Sequence, residues 1–339
     1  MGKSSCCAGK MGGRKKVHHE NPGFRFPVVY SDHYGVKFCG LQRLHPFDAA
    51  KGANIMRLLK EGSFMAEGQT HKPEEISETD LRKVHTERYL DSLKWSLNVA
   101  KIAEIPPLAA VPNYFVQRGY LRPMRFQTAG SILAGKLALQ EGWAINLGGG
   151  FHHCSADDGG GFCAYADITL LINLVLTEEN SVSKVMIVDL DAHQGNGHER
   201  DFMDDNRVFI MDMYNAMIYP KDHNAKLAIK CAVELQPKTP DESYLRKLRI
   251  NLQNSLEKFN PDLIVFNAGT DILANDPLGL LSISPEGVIE RDEYVFSTAV
   301  SKHIPIVMLL SGGYLKASAK VIADSIMNLK LKGLLPVKM

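Results

Sequence analysis

Four stretches of this 339-residue chain carry side chains whose types and spacing could do chemistry together. In Asp189-Leu190-Asp191-Ala192-His193, two carboxylates and an imidazole occupy alternate positions, which point to the same side of an extended chain. Three potential ligands would then face one place. Aspartate and histidine without cysteine make a mixed oxygen and nitrogen site, suited to zinc, iron(II) or another divalent metal. Asp271, in Ala268-Gly269-Thr270-Asp271, could complete two carboxylates and one imidazole with a position left open for water, the pattern of a catalytic rather than a closed structural site. His152 and His153 follow Gly148-Gly149-Gly150, a backbone that can approach a ligand closely, and paired imidazoles beside a metal point to acid–base work. Tyr314, after Ser311-Gly312-Gly313, is a candidate donor to a substrate oxyanion. The bland alternatives are a solvated turn for the Asp-x-Asp-x-His run and core packing for the tyrosine.

The elements that must position these groups are legible around them. Each stretch follows a short, nearly continuous apolar run: Trp143 to Leu147, Val185 to Leu190, Leu263 to Phe266, and Ile304 to Leu310. Such runs suit strands of a parallel sheet covered on both faces, and open α/β sheets place ligands beyond the carboxyl ends of their strands. That position also argues against the solvated turn, because a carboxylate at the end of a buried strand needs a partner or a metal. Ser77 and Asp80 have capping-box spacing ahead of Leu81, Val84, Leu90, Leu93 and Leu97, which recur near helical period. A second helix is expected over Asp241 to Phe259, with Leu245, Leu248, Leu252, Leu256 and Phe259 on one face, and a third begins at Ser284-Pro285-Glu286. Ile168 to Leu176, the longest apolar stretch, is too short to span a bilayer and reads as a buried strand or helix.

The formal charge is +1, but the first twenty residues contribute +4, so the rest sums to −3 and is no basic nucleic-acid clamp. Six cysteines are scattered without a CxxC pair, and no apolar leader precedes them, which fits a reducing intracellular compartment. Residues 1–22 read as a disordered basic tail and 23–339 as one catalytic domain. The opening Met1-Gly2-Lys3-Ser4-Ser5-Cys6-Cys7 could be acylated at Gly2, Cys6 and Cys7, although Cys6 stands where the usual acceptor pattern has Ser or Thr; a solvated tail is the preferred reading. Association with membranes is expected only if that tail is acylated.

The segments GGGFHHCSADDGGGFCAYADI (148–168), VDLDAHQGNGHERDFMDD (188–205), NAGTDILANDPLGLLSISPEG (267–287) and SGGY (311–314), with LHPFDA (44–49), resemble the signature segments of class IV histone deacetylases. The resemblance runs from about Phe24 to the C-terminus and implies a three-layer α/β/α fold of the arginase/deacetylase type around a mainly parallel sheet. It implies that Asp191, His193 and Asp271 bind one catalytic Zn2+, and that Asp189 accepts a hydrogen bond from His152. His153 would be the general base toward a water activated at the metal, His152 its electrostatic or acid partner, and Tyr314 a donor to the scissile carbonyl. Backbone carbonyls around Asp189, Asp191 and His193 would help hold K+. The implied substrates are acylated lysines of histones or other proteins, with long-chain fatty acyl groups alongside acetyl. Corepressors or other deacetylases would be partners, in nucleus and cytoplasm.

Two departures from the wider family stand out. Class I and II relatives pair the second histidine with an aspartate, whereas here the turn reads Gln194-Gly195-Asn196-Gly197, so that partner is the neutral Asn196. Many of those relatives also hold the substrate backbone with a rim aspartate, and Ile105 to Gln140 contains no Asp or Glu, so backbone recognition is expected to differ. Gly161, Phe162 and Tyr219 are candidates for substrate contact, the two aromatics as tunnel walls. Cys154 reads as a small buried hydrophobe rather than a nucleophile. An acetylpolyamine deacetylase is the runner-up enzyme, disfavoured by the acid-free stretch. A scaffold or corepressor subunit is the non-enzymatic alternative, disfavoured because every expected functional side chain is present.

Overall fold

A computed structural model of the chain describes residues 25–37 and 48–336. The tail with Gly2, Cys6 and Cys7, and the first four residues of the Leu44 to Ala49 motif, lie outside the described residues. Among the described residues, seven strands form one sheet: β1 (Val28–Val29), β2 (Trp143–Asn146), β3 (Val185–Asp189), β4 (Val208–Asn215), β5 (Cys231–Leu235), β6 (Leu263–Asn267) and β7 (Ile306–Leu309). Their spatial order is β1-β2-β7-β6-β3-β4-β5, and every pairing is parallel.

Parallel strands need crossovers, and here helices cover both faces, giving the expected three-layer α/β/α architecture. Alternation along each strand decides which face a side chain serves. Met186, Val188, Ile264, Phe266, Ile306 and Met308 enter one core with the helices Lys51–Glu61, Asp241–Phe259, Pro285–Ser301 and Ser318–Leu331. Val185, Ile187, Leu263, Val265, Val307 and Leu309 enter the other, against Arg122–Glu141 and Asp167–Glu178. The run from Ile168 is thus a buried helix, and among the described residues no helix is long and apolar enough to cross a membrane. A third cluster, including Leu90, Val99, Ile102, Tyr120, Phe151 and Cys163, packs the short helices between residues 78 and 121 against the glycine loop.

The four strands foreseen from sequence are all present, with ends shifted by a residue or two, and the helices at Asp241 and Ser284 start where expected. Ser284 Oγ accepts from Gly287 N at 2.9 Å and lies 2.5 Å from Asp241 Oδ2, so one side chain caps a helix and ties it to its neighbour. Ser284→Ala should cost about 1–2 kcal/mol of unfolding free energy, read from the urea midpoint at unchanged m-value.

The long helix implied by Leu81 to Leu97 is a correction. Three short helices stand there: Glu78–Leu81, Glu87–Ser92 and Ser96–Ile102. Ser77 does cap the first, with Asp80 N donating to its Oγ at 3.1 Å. Thr86 interrupts the run: its amide turns out to Ala156 O (3.1 Å), and its Oγ1 accepts from Tyr89 N (3.2 Å) to begin a new helix. Leu97, expected on the buried stripe, is exposed.

One consequence of the sheet order matters most for function. Asn146 pairs with Leu309, Leu309 with Asn267, and Asn267 with Asp189. The last residues of β2, β7, β6 and β3 therefore form a row, and the four chemistry-bearing loops leave the sheet side by side.

Candidate active site

Asp191, His193 and Asp271 each place a ligand-capable atom within 4.8 Å of the others, and all three are buried. His193 Nδ1 is 2.8 Å from Asp271 Oδ2 and 3.1 Å from Asp191 Oδ1. Backbone amides aim the carboxylates: Gly312 N donates to Asp191 Oδ2 at 2.8 Å, and Ala192 N to Asp271 Oδ1 at 2.9 Å. Glycine is required at 312, because a Cβ there would sit 2.7 Å from Asp191 Oδ2 and 2.9 Å from Asp271 Oδ2.

Burial penalises ionisation of both carboxyls, but His152 and His193 hold Asp191 well below the usual range. Asp271, raised by burial and then by the Asp191 charge beside it, sits at about 7. For His193 burial acts downward and is outweighed by the hydrogen bonds to Asp191 and Asp271, which carry it to about 10. Two buried carboxylates on one imidazole are a charge arrangement that asks for a cation.

Asp189 does not join this trio, which corrects the expectation that 189, 191 and 193 face one place. β3 ends at Asp189, so strand alternation stops before it can align the three. The Asp189 carboxylate belongs to a second buried group with His152 and His198: Oδ2 lies 3.0 Å from His152 Nδ1 and 2.9 Å from His198 Nε2, while Oδ1 accepts from Asn267 Nδ2 at 3.0 Å. Charge from these two imidazoles outweighs burial and holds Asp189 far below the ordinary carboxylate range.

The adjacent histidines have opposite environments. For His152, burial acts downward, but Asp189 and Asp191 raise it to about 9. His153 Nδ1 lies 2.8 Å from the Asn196 Oδ1 acceptor, and burial with His152 and His193 pushes its pKa well below the ordinary value. The pKa values of two imidazoles whose rings are 4.1 Å apart are thus pushed in opposite directions. Gly161 makes room for the latter, since a Cβ there would fall 2.3 Å from His153 Cδ2.

Tyr314 stands over His193, with ring centroids 6.4 Å apart, and its amide donates to Asp276 Oδ2 at 2.9 Å. Burial, with Asp271 and Asp191, keeps its hydroxyl protonated by raising its pKa well above the ordinary value. Phe162 meets the Tyr314 ring edge-on at 5.9 Å, and Tyr219 meets His153 at 4.9 Å, so both proposed wall residues flank this centre. Behind them a cavity of about 40 Å³ is lined by Lys51, Met124, Phe151, both histidines, Leu310 and Tyr314 among others.

Sequence reasoning missed several supporting residues. Asp167, fully buried, accepts from Gly150 N (2.8 Å) and Phe151 N (2.7 Å) and so sets the glycine loop that carries the histidines. Lys51 Nζ donates to Ser311 O at 2.6 Å and Gly312 O at 3.2 Å, fixing the turn before Tyr314. Glu104, one residue before the acid-free stretch, adopts left-handed backbone (φ 54°); burial raises its pKa against the opposing His193 charge, and its own charge helps raise that of Tyr219. A non-glycine residue held at positive φ was the signal a sequence cannot display.

Comparison with known proteins gives the family. Residues 45–329 match the histone deacetylase domain family. The chain is 51% identical over 323 residues to Histone deacetylase 2 of Arabidopsis thaliana, covering 95% of this chain and 83% of that one. Its fold is similar to the crystal structure of the HDA15 HD domain (TM-score 0.71, 19% identity, 92% and 89% covered). It is also similar to that of acetylpolyamine aminohydrolase from Burkholderia pseudomallei (TM-score 0.69, 16% identity, 89% and 97% covered). The class IV assignment read from the signature segments does not stand: the 51%-identical relative is Histone deacetylase 2, and the domain match reaches the family as a whole rather than that branch. The chain belongs to the histone deacetylase family and is a hydrolase of acetyl-lysine amides.

Proposed function

We propose that Asp191, His193 and Asp271 hold one divalent zinc ion, and that His153, His152 and Tyr314 carry out hydrolysis of an acyl-lysine amide beside it. The observation that carries this reading is the convergence, in one buried place, of two carboxylates and one imidazole, with the His153 ring 5.8 Å from His193 and 4.1 Å from His152. The donor set fits the ion: three buried oxygen and nitrogen ligands, and a glycine at 312 where any side chain would press on them. A zinc ion in such a site polarises the scissile carbonyl and lowers the pKa of water from ~16 to about 7.

The chain's own groups do the rest. Asn196 Oδ1 accepts from His153 Nδ1–H, which leaves Nε2 as the basic nitrogen that takes a proton from the attacking water. His152, kept cationic by Asp189, stabilises the negative charge that develops and returns a proton toward the departing lysine amine. The Tyr314 hydroxyl donates to the carbonyl oxygen as it becomes an oxyanion. The products are lysine and a carboxylate. Replacing Asn196 by aspartate puts a carboxylate on Nδ1 and raises the His153 pKa, so the acidic limb of the pH–rate profile moves up; an unshifted limb refutes the assignment of His153 as base.

Phe162 and Tyr219 form the walls along which the lysine stem enters. Glu104 at the mouth accepts N–H groups of the substrate backbone, so Glu104→Ala raises KM about 10-fold with little change in kcat. A K+ ion held by backbone carbonyls around Asp189, Asp191 and His193 belongs to this reading; beside it the buried carboxyls of Asp212 and Glu199 hydrogen-bond to each other.

For the acyl group, a cavity of about 40 Å³ suits an acetyl methyl. Long-chain fatty acyl groups are the second reading, favoured by the apolar Met124, Phe151 and Leu310 lining that cavity, and would require it to open. Matched peptides carrying acetyl-lysine and myristoyl-lysine, with and without chelator, test both. Chelator-sensitive release from either supports the reading and their ratio fixes the acyl length, whereas no release from either by zinc-replete protein contradicts it.

A further inference from the structure

A fully buried arginine stands behind the loops of the catalytic centre, and the reaction does not use it. Arg291 comes from the helix Pro285–Ser301, which packs through Val288, Val295 and Phe296 on one face of the sheet. Its guanidinium lies over the Phe266 ring, 5.5 Å from the centroid, and donates through Nε to Asp292 Oδ1 at 2.8 Å. Asp292 is buried too and accepts from Ser325 Oγ at 2.6 Å, so the helix Ser318–Leu331 fixes the counter-charge. A guanidinium never gives up its proton in a protein, and burying such a pair is tolerable only when its other donors find acceptors.

Those donors go to the two loops that carry the metal-site carboxylates. The last ladder pair between β3 and β6 is Asp189 with Asn267. One more backbone bond, from Leu190 N to Asn267 O at 3.0 Å, follows it, and beyond that the two chains part to place Asp191 and Asp271. Strands that part leave buried carbonyls the ladder no longer serves, and each needs a donor. Arg291 supplies them: Nη1 donates to Gly269 O at 2.5 Å and to Leu190 O at 3.4 Å, and Nη2 to Ala268 O at 3.3 Å. Leu190 immediately precedes Asp191, and Gly269 stands two residues before Asp271.

The peptide held most closely also touches the site. Gly269 packs directly on Asp191: a Cβ there would fall 2.2 Å from Asp191 Oδ2 and 2.6 Å from its Cγ. Any shift of that peptide therefore reaches the carboxylate. The planar fork of arginine can serve several carbonyls and Asp292 at once, whereas a lysine ammonium is a single point on a flexible stem. An apolar chain of similar volume would fill the same space in the core and hold neither loop.

We propose that Arg291 is a positioning residue of the metal centre: where the sheet hydrogen bonds end, its guanidinium ties the chain after β3 to the chain after β6 and holds Asp191 and Asp271 at ligand spacing. The inference rests on the assignment of a zinc ion to Asp191, His193 and Asp271. It adds what keeps two like-charged carboxylates side by side when no ion lies between them.

The test is the rate at which the full chain, loaded with one equivalent of Zn2+, releases the ion to excess chromogenic chelator. Arg291→Met and Arg291→Lys are compared with wild type and with Leu252→Ala, a large-to-small change in the same core that controls for lost stability. Arg291→Met should release zinc about 10–100-fold faster than wild type, the range seen when groups that orient metal ligands are lost. Arg291→Lys should fall between the two. Leu252→Ala should release at the wild-type rate although its unfolding midpoint drops. With Zn2+ in excess, KM for an acetyl-lysine peptide should stay at the wild-type value in all three. Should Arg291→Met fail to fold, Arg291→Lys decides. Release from the folded Arg291 variants at the wild-type rate, or an acceleration matched by Leu252→Ala, overturns the proposal and leaves the zinc assignment standing. Wild type that takes up no zinc yet hydrolyses the peptide overturns that assignment and this inference with it.

Discussion

Asp271→Asn is expected to leave the purified protein with well under one metal ion per chain and to lower kcat/KM for an acetyl-lysine peptide by more than about 100-fold, since replacing even groups that only orient metal ligands costs 10–100-fold. The side chain is fully buried, its Oδ2 lies 2.8 Å from His193 Nδ1, and its Oδ1 is aimed by Ala192 N. Asparagine keeps the volume and one oxygen but gives up the charge, so a folding defect is a minor contributor. Elemental analysis by mass spectrometry, beside the circular dichroism spectrum, separates loss of metal from loss of fold. Retention of one tightly bound ion per chain together with wild-type activity would remove Asp271 from the ligand set.

Tyr314→Phe should behave differently. The ring stays in contact with Phe162 and His193, so metal content and KM should be close to wild type. What is lost is one neutral donor to the developing oxyanion, and removal of such a donor costs ~100- to 1,000-fold in kcat, about 2.7–4 kcal/mol of transition-state stabilisation. Steady-state kinetics on the same peptide read the split. A rise in KM at unchanged kcat would instead make Tyr314 a ground-state binding residue.

Much of this centre was legible in the sequence because its residues sit where four apolar runs end. Trp143, Val185, Leu263 and Ile306 begin strands that pair in parallel, and the sheet order then brings their loops together. What was not legible depends on the third dimension. β4 escaped notice because Asp212 interrupts an otherwise apolar run, a residue that the fold buries against Asp189 and Glu199. β5 is an edge strand with exposed Ala232 and Glu234, so it lacks a continuous apolar signal. Alternation put Asp189 with Asp191 and His193, whereas the strand stops at 189 and gives that carboxylate to His152 and His198. Asp167 lay in plain sight at the start of a greasy helix, and only the folded loop shows it accepting the amides of Gly150 and Phe151. Glu104 fell one residue outside the stretch that seemed acid-free, and its left-handed backbone is set by packing that no local pattern encodes.

Hydrolysis is expected to depend on a metal ion held by the trio Asp191, His193 and Asp271. The measurement is turnover of an acetyl-lysine peptide by the full chain before chelation, after chelation, and after return of one equivalent of Zn2+, with bound metal counted at each stage. Activity that disappears with the ion and returns with it in the wild type, but not in Asp271→Asn, is the predicted result. Undiminished turnover by metal-free protein would contradict it.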